Sequence, residues 1–203
     1  AKAIMTTDTY PKALHIAGAN VSATGFAKGS GMIHPDMATM LGFVVTDGRV
    51  ASAAGASAAL RRITDRSFHR VTVDGDTSPN DSVFLMTSGR AADDSSVVET
   101  MLTDLGRRLA RCIAADGEGA TRLITVQVRG ARTEDDATTV GRVIATSPLV
   151  KTAVTGRDPN WGRILSAAAR AGVPFATETA RVWVGPADVY SDGRPHPENE
   201  AAA

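Results

Sequence analysis

Apolar and polar residues alternate along this chain in two different periods, which predicts a fold that mixes helices and strands. The clearest helix covers residues 96–115, where apolar side chains recur every three or four positions. Arg107, Arg108 and Arg111 then fall largely on the outward side. Similar reasoning predicts shorter helices over residues 52–63, 80–88, 133–145 and 160–171. Pro79 suits the first turn of the helix over 80–88, and Thr133 and Asn160 are expected to cap the last two helices.

Strands are predicted where short apolar runs lie between turn residues. In one run Ile124, Val126 and Val128 alternate with polar residues, as in a half-buried strand. The predicted strands are residues 43–50, 69–73, 123–128 and 179–184. Residues 192–199 are polar and read as a loop. The fold class expected from these patterns is α/β.

A glycine-rich loop at residues 116–121 separates the long helix from a new strand. A change of pattern of this kind is typical of a domain boundary. We therefore expect two domains, residues 1–118 and residues 119–203.

The amino-acid composition limits the kinds of binding partner that we expect for this protein. Among 203 residues, 22 are Lys or Arg and 22 are Asp or Glu, so the formal net charge is zero. This balance does not favour a nucleic-acid or anionic-membrane partner. No apolar run approaches the roughly 20 residues that span a bilayer, and no signal peptide is visible, so a cytoplasmic location is expected. The single cysteine, Cys112, excludes an internal disulfide and reads as a core residue.

The most informative stretch leads from Lys28 through a glycine-rich segment to Thr39. A threonine hydroxyl needs a base, and cleavage of the chain just before it turns its own α-amine into that base. The α-amine has an unperturbed pKa of about 7.7–8.0, which suits the role. The bond cleaved here would join Ala38 and Thr39. On the residues alone, a glycine-rich turn that enters an apolar strand is the better explanation of the stretch.

The stretch resembles the self-cleavage region of the ornithine acetyltransferase family, which usually reads close to K-G-S-G-M-I-x-P-N-M-A-T-M-L. Four further segments resemble the family in the same order along the chain. These are residues 3–9 (AIMTTDT), 71–78 (VTVDGDTS) with Asn80 and Asp81, 117–121 (GEGAT) and 158–164 (DPNWGRI). Because the five matches are colinear, the chain is identified as similar to this family over most of its length.

The resemblance implies a fold of sandwiched sheets flanked by helices around the cleaved threonine, with a smaller α/β domain. Residues 1–118 would form part of the nucleophile-bearing domain. Residues 119–203 would form the smaller domain, truncated at its C-terminus. Family members are considerably longer, so the chain is expected to be a fragment. The family's oxyanion hole would lie in a Thr-Gly segment upstream of Ala1.

The resemblance also implies an activity. Thr39 would cleave the chain after Ala38 and then carry acetyl from N2-acetyl-L-ornithine to L-glutamate in a ping-pong reaction of arginine biosynthesis. No metal and no organic cofactor are expected. The two cleaved chains of the precursor would stay together and pair into a heterotetramer.

Four positions match those at which the family binds substrate, and Thr39 itself is one of them. Lys28 would bind a substrate carboxylate, and Glu118, between two glycines, would bind the substrate's ammonium group. The family's substrate-binding threonine corresponds to Thr6 or Thr7, with Thr7 preferred. Without the resemblance, Lys28 and Glu118 would read as surface residues.

The chain departs from the family's usual pattern at Asp36, where asparagine is the rule, and the added charge would act close to Thr39. A second polar cluster follows a predicted strand and is expected to serve in turns and a helix cap rather than in a metal site. This cluster comprises Asp74, Asp76, Asn80 and Asp81.

Rival functions stay open at this point. One is a paralogue with the same mechanism in secondary metabolism, such as clavulanic acid production. Another is a non-catalytic homologue that binds an amino acid. A relative that uses water as acceptor is a weaker third, and use of acetyl-CoA as a donor is not excluded.

Overall fold

The computed structural model describes residues 1–34, 40–50, 52–91 and 95–203. They form two compact units, Ala1–Ala120 and Thr121–Ala203, called here the first and the second unit. Both contain helices and a sheet, so the α/β class predicted from the sequence is confirmed.

The first unit is built on a four-stranded sheet. Its strands are β1 (Lys12–Ala17), β2 (Ser22–Lys28), β3 (Leu41–Thr46) and β4 (Ser82–Thr87), in that spatial order. The first two pairings are antiparallel, whereas β3 and β4 run parallel. Two helices accompany the sheet, α1 (Ala53–Asp65) and α2 (Ser95–Ala115).

Helix α2 packs against one face of the sheet and matches the long helix that the sequence predicted. Leu105 and Leu109 are fully buried there. Strand β2 presents only small residues to this face, and a Cβ at Gly25 would lie 2.8 Å from Leu109 Cδ1. Glycine at that position therefore lets the helix approach the sheet closely.

Truncation of Leu102 is expected to destabilise the first unit by about 2–5 kcal/mol, because a buried leucine leaves a cavity when cut to alanine. Leu102 is 1% exposed. Urea unfolding of Leu102→Ala would measure the loss. Val97 lies on the same helix and is 50% exposed, so Val97→Ala should stay within about 0.5 kcal/mol of the unchanged protein. Equal unfolding midpoints for the two variants would contradict this packing.

Two predicted elements of the first unit are wrong. Residues 80–88, predicted as a helix, contain strand β4, which pairs in parallel with β3. The aromatic ring of Phe84 stacks on that of Phe43, with 5.2 Å between centroids, and this contact is available only to a strand beside β3. Residues 69–73, predicted as a strand, begin inside a short 3-10 helix, Phe68–Arg70, and pair with no strand in the described chain.

The second unit combines three helices with a small sheet. The helices are α3 (Glu134–Thr146), α4 (Pro148–Thr155) and α5 (Trp161–Ala169). The strands are β5 (Val182–Val184), β6 (Ala187–Ser191) and β7 (Arg194–Pro195), and both pairings are antiparallel. Thr133 caps α3 and Asn160 caps α5, as the sequence predicts. Ser147 caps α4, a helix that the sequence reading missed.

Residues 123–128 keep the predicted alternation but belong to no strand among the described residues. Val126 and Val128 pack against the core under α3 and α5, which accounts for their apolar period. Residues 192–199, expected to be a loop, contain β7 and the start of a 3-10 helix, Pro197–Ala202. None of the described helices has the length and apolar character needed to cross a membrane.

Candidate functional site

A pocket in the first unit gathers those described residues that the resemblance assigned to substrate binding. Its cavity measures about 260 Å³. Thr6, Thr7, Lys28 and Glu118 all line it. The remaining lining residues are Gly29, Ser30, Gly31 and Met32. Three separate chain segments therefore build the walls, and we call this cavity the charged pocket.

Local structure explains how the two charges reach the charged pocket. Lys28 is the last residue of β2, and Gly29 then turns the chain with a φ of +147°, a conformation that favours glycine. Glu118 follows the end of α2 by three residues and is exposed. The Nζ atom of Lys28 lies 3.5 Å from the Thr6 hydroxyl.

Hydrogen bonds of backbone and side-chain groups tie the wall segments to one another. The Glu118 amide donates to the Ser30 carbonyl at 2.8 Å. The Ser30 hydroxyl donates to the Asp116 carbonyl at 2.6 Å. The Gly29 amide donates to Asp8 at 2.8 Å. The loop after β2 is thus attached both to the N-terminal segment and to the segment after α2.

A buried ion cluster lies behind these walls. The Lys12 ammonium group contacts Asp8 Oδ1 at 2.5 Å and Asp116 Oδ2 at 2.6 Å, and its side chain is fully buried. Burial acts to raise the pKa of both carboxyl groups, but hydrogen bonds from Lys12 and from backbone amides outweigh it and hold each pKa below its usual value. Both carboxylates are therefore ionised at neutral pH.

The charged pocket can bind a small molecule that carries both charges. A lysine cation attracts a carboxylate, a glutamate carboxylate attracts an ammonium group, and two threonine hydroxyls supply further hydrogen bonds. An amino acid with a basic or acidic side chain has this chemistry.

The proposed nucleophile and cleavage site, Thr39 and Ala38, and the unusual Asp36 lie outside the described residues. The structure does describe both flanks of that segment. On the N-terminal flank, the amides of Met32 and Ile33 donate to Asp74 at 2.6 and 3.0 Å. The next residue, His34, accepts a hydrogen bond at its carbonyl from the Thr77 hydroxyl at 3.0 Å.

The C-terminal flank is held by the same stretch of chain. The amide of Met40 donates to Asp81, and the Met40 carbonyl accepts from the Ser82 amide at 3.1 Å. Residues 72–82 therefore form hydrogen bonds to both flanks of the segment that contains Thr39.

The polar cluster after residue 73 thus has a role that the sequence reading missed. Asp74 does form the expected turn, because it accepts from the Asp76 amide at 3.1 Å. The helix-cap role is wrong, since a strand follows Asp81 rather than a helix. Within the described ranges, no three His, Cys, Asp or Glu side chains converge as a metal site would require.

The sequence analysis also missed the buried ion cluster of Lys12, Asp8 and Asp116 behind the charged pocket. Asp8 lies inside one of the family-like segments, and Lys12 falls in phase with the inward-facing Leu14 and Ile16 of β1. A charged residue at an inward strand position was the available signal. Its partners were not readable, because Asp116 is 104 residues away in the chain.

A second, more open hollow of about 430 Å³ lies elsewhere in the first unit, between the ends of β2, β3 and β4. Its charged lining residue, Asp47, already accepts hydrogen bonds from the amide and the hydroxyl of Ser22, at 2.7 and 3.1 Å. None of the sequence-predicted site residues lines it. The charged pocket is therefore the better candidate site.

The fold is mixed α/β, and the charged pocket presents one cationic and one anionic side chain, which suit a small molecule that carries both charges. The chain belongs to the ArgJ family, whose sequence profile matches residues 1–203. This confirms the resemblance recognised in the sequence.

Individual relatives agree with this assignment. The chain is 49% identical to the arginine biosynthesis bifunctional protein ArgJ of Dehalococcoides mccartyi over 95% of its length and 50% of the relative's. It is 47% identical to ArgJ 1 of Nostoc sp. over its whole length and 52% of the relative's. The crystal structure of ArgJ from Bacillus halodurans superposes with a TM-score of 0.74 at 39% identity, covering 79% of this chain and 78% of that one. The chain spans about half the length of the curated relatives it matches.

Proposed function

We propose that the parent protein, meaning the natural gene product in which this chain occurs, transfers acetyl from N2-acetyl-L-ornithine to L-glutamate. The observation that carries the proposal is the pairing of Lys28 and Glu118 on the walls of one small pocket. Acetylornithine has a carboxylate suited to Lys28 and a terminal ammonium group suited to Glu118. Arginine biosynthesis, which the names of the relatives state, is a pathway that uses this reaction.

Thr39 is the proposed nucleophile. Its hydroxyl first attacks the Ala38 carbonyl, the peptide becomes an ester through an N-to-O shift, and water hydrolyses that ester. The freed α-amine of Thr39 then serves as the base. In the transfer reaction the hydroxyl attacks the acetyl carbonyl of the donor while the α-amine takes its proton. That proton leaves with the ornithine amine.

The second half of the reaction reverses the first with a new amine. Glutamate enters the same pocket, and its α-amine attacks the acetyl-Thr39 ester. The threonine hydroxyl regains a proton, and N-acetylglutamate leaves. One pocket must therefore accept both substrates in turn, and both carry a carboxylate for Lys28. The scheme needs no metal and no organic cofactor.

The proposed assembly follows from cleavage. The two chains of one precursor remain associated, and two copies of each form a heterotetramer. The protein would act in the cytoplasm on small molecules, without a nucleic-acid or membrane partner. Native mass spectrometry of the parent protein would give two chains of each kind in one particle.

The test is a transfer assay on the parent protein with N2-acetylornithine and isotope-labelled glutamate. We expect labelled N-acetylglutamate and ornithine in equal amounts, with the parallel double-reciprocal lines of a ping-pong reaction. Acetate release without labelled product would favour a hydrolase instead. Binding of acetylornithine without any product would favour the non-catalytic homologue.

Assays with a second donor and with other acceptors distinguish the remaining alternative functions. The word bifunctional in the names of the relatives motivates acetyl-CoA as a second donor, and its use would appear as acetylglutamate formed without acetylornithine. A paralogue of secondary metabolism would prefer acceptors other than glutamate. A panel of amino-acid acceptors at equal concentration distinguishes it.

Gly31→Ala is expected to weaken donor binding while the fold stays intact. A Cβ at Gly31 would lie 2.6 Å from Glu118 Cδ, so the flexible Glu118 side chain must turn away. A lost charge-assisted hydrogen bond of about 1.5–3 kcal/mol corresponds to a KM for acetylornithine raised about 10- to 100-fold. Steady-state kinetics of the parent protein measure this.

Gly141→Ala is the matched control for that variant. Gly141 lies on α3, and a Cβ there would meet its nearest neighbour, Val128 Cγ2, at an ordinary 3.7 Å. Its KM should equal that of the unchanged enzyme. A Gly31→Ala enzyme with unchanged KM would show that Glu118 does not bind the donor.

A further inference from the structure

Lys12 is a buried cation at an inward position of an edge strand. Its side chain shares a face with Leu14 and Ile16, which pack against the core of the first unit. Its ammonium group is enclosed by Asp8 and Asp116. Replacing a buried ion pair by apolar residues of similar volume is often neutral or stabilising. Stability alone therefore does not explain a lysine here.

Each carboxylate of this cluster is also hydrogen-bonded to a chain segment that contributes a wall of the charged pocket. Asp8 accepts from the amides of Gly29 and Thr6, at 2.8 and 3.2 Å. Asp116 accepts from the Thr9 amide at 3.0 Å and from the Thr9 hydroxyl. Through these bonds Asp8 spans the N-terminal wall and the wall after β2.

Asp116 reaches the remaining wall through its own backbone. Its carbonyl accepts from the Ser30 hydroxyl, and Glu118 stands two residues further along the chain. The Glu118 amide in turn donates to the Ser30 carbonyl. All three wall segments are thus connected to one ammonium group that itself does not line the cavity.

We infer that Lys12 is a positioning residue of the charged pocket: by holding Asp8 and Asp116 together, it sets the spacing between Lys28 and Glu118. This inference rests on the proposed function, because that spacing matters only if the pocket binds a molecule with both charges. Without the cation, the two buried carboxyl groups lose their common partner, and they would repel each other unless one takes up a proton. In either case the walls to which they are bonded lose the contact that fixes their spacing.

The test compares Lys12→Met and Asp8→Asn in the parent protein. Lys12→Met keeps the length of the side chain and removes its charge. Asp8→Asn keeps an oxygen that accepts from the Gly29 amide but removes the ionic contact with Lys12. It leaves Lys12 and Asp116 as one ion pair without net charge. We expect KM for N2-acetylornithine to rise about 10- to 100-fold in both variants, since loss of one charge-assisted hydrogen bond weakens binding by about this factor. We expect kcat to change less than KM.

Two controls separate positioning from stability. Leu102→Ala weakens the same unit, but Leu102 precedes Asp116 by 14 residues, about 21 Å along a helix. It should lower the melting temperature without moving KM. Glu99→Gln breaks the partly exposed Arg62–Glu99 ion pair, and it too should leave KM unchanged.

Each outcome has one meaning. A KM within twofold of the unchanged enzyme in Asp8→Asn overturns the positioning role, and this variant decides the matter if Lys12→Met does not fold. A KM that rises equally in Leu102→Ala also overturns it, because the effect would then follow stability. If the parent protein without any substitution neither binds acetylornithine nor transfers acetyl, that result refutes the proposed function instead.

Discussion

Thr39→Ala is expected to leave the parent protein as one uncleaved chain that takes up no acetyl. Alanine has no hydroxyl to attack the Ala38 carbonyl, and without cleavage no α-amine appears at residue 39 to act as a base. Both reactions should therefore be lost together. Intact mass of the unchanged protein should show two fragments divided between Ala38 and Thr39, with one acetyl added to the Thr39 fragment after incubation with N2-acetylornithine.

Thr39→Ser is the matched control, because serine keeps the hydroxyl and removes only a methyl group. It should still cleave and take up acetyl, at a changed rate. Cleavage after residue 38 in Thr39→Ala would assign the nucleophile elsewhere. Cleavage of the unchanged protein without acetyl uptake would separate self-processing from transfer and refute the second alone.

The sequence predicted best those elements whose stability is local. Helix α2 is long and strongly periodic, so its bounds were predicted within one residue. The caps at Thr133 and Asn160 depend on bonds three residues apart and were also readable. By contrast, β4 was misread because its pairing partner β3 lies about 40 residues away. Pro79 before it satisfied a local rule for helix starts that the sheet overrides.

The candidate site likewise contains residues that could be recognised in the sequence and residues that could not. Thr6, Thr7, Lys28 and Glu118 were recognised because each lies in a segment that resembles the family. The structure brings them around one cavity. The residues behind them required the fold, since no pattern within the sequence joins Lys12 to Asp116.

The same limit applied to Asp74 and Asp81, whose spacing suggested only turns and caps. Their hydrogen bonds to residues 32, 33 and 40 exist because the parallel pairing of β3 with β4 brings the two stretches side by side. A motif that the sequence predicted to form a turn and a helix cap thus holds the flanks of the proposed cleavage segment.

Asp81→Ala is therefore expected to slow self-cleavage of the parent protein about 10- to 100-fold. Asp81 accepts a hydrogen bond from the Met40 amide, next to the proposed nucleophile. A hydrogen bond to a charged group contributes about 1.5–3 kcal/mol, and each 1.36 kcal/mol of barrier is a tenfold change in rate. If this bond orients Thr39 toward the Ala38 carbonyl, its loss lowers the fraction of chains in a reactive geometry. A time course of precursor and fragments after synthesis measures the rate.

Two variants make that measurement specific. Asp81→Asn retains an oxygen that can accept from Met40, so its cleavage should lie between those of Asp81→Ala and the unchanged protein. Asp76 belongs to the same stretch and is exposed, so Asp76→Ala should cleave at the normal rate. If Asp81→Ala cleaves as fast as Asp76→Ala, the hydrogen bond between Asp81 and the Met40 amide contributes to the fold and not to cleavage. Slow cleavage in Asp81→Ala at an unchanged melting temperature would instead make this aspartate part of the machinery that orients the scissile bond.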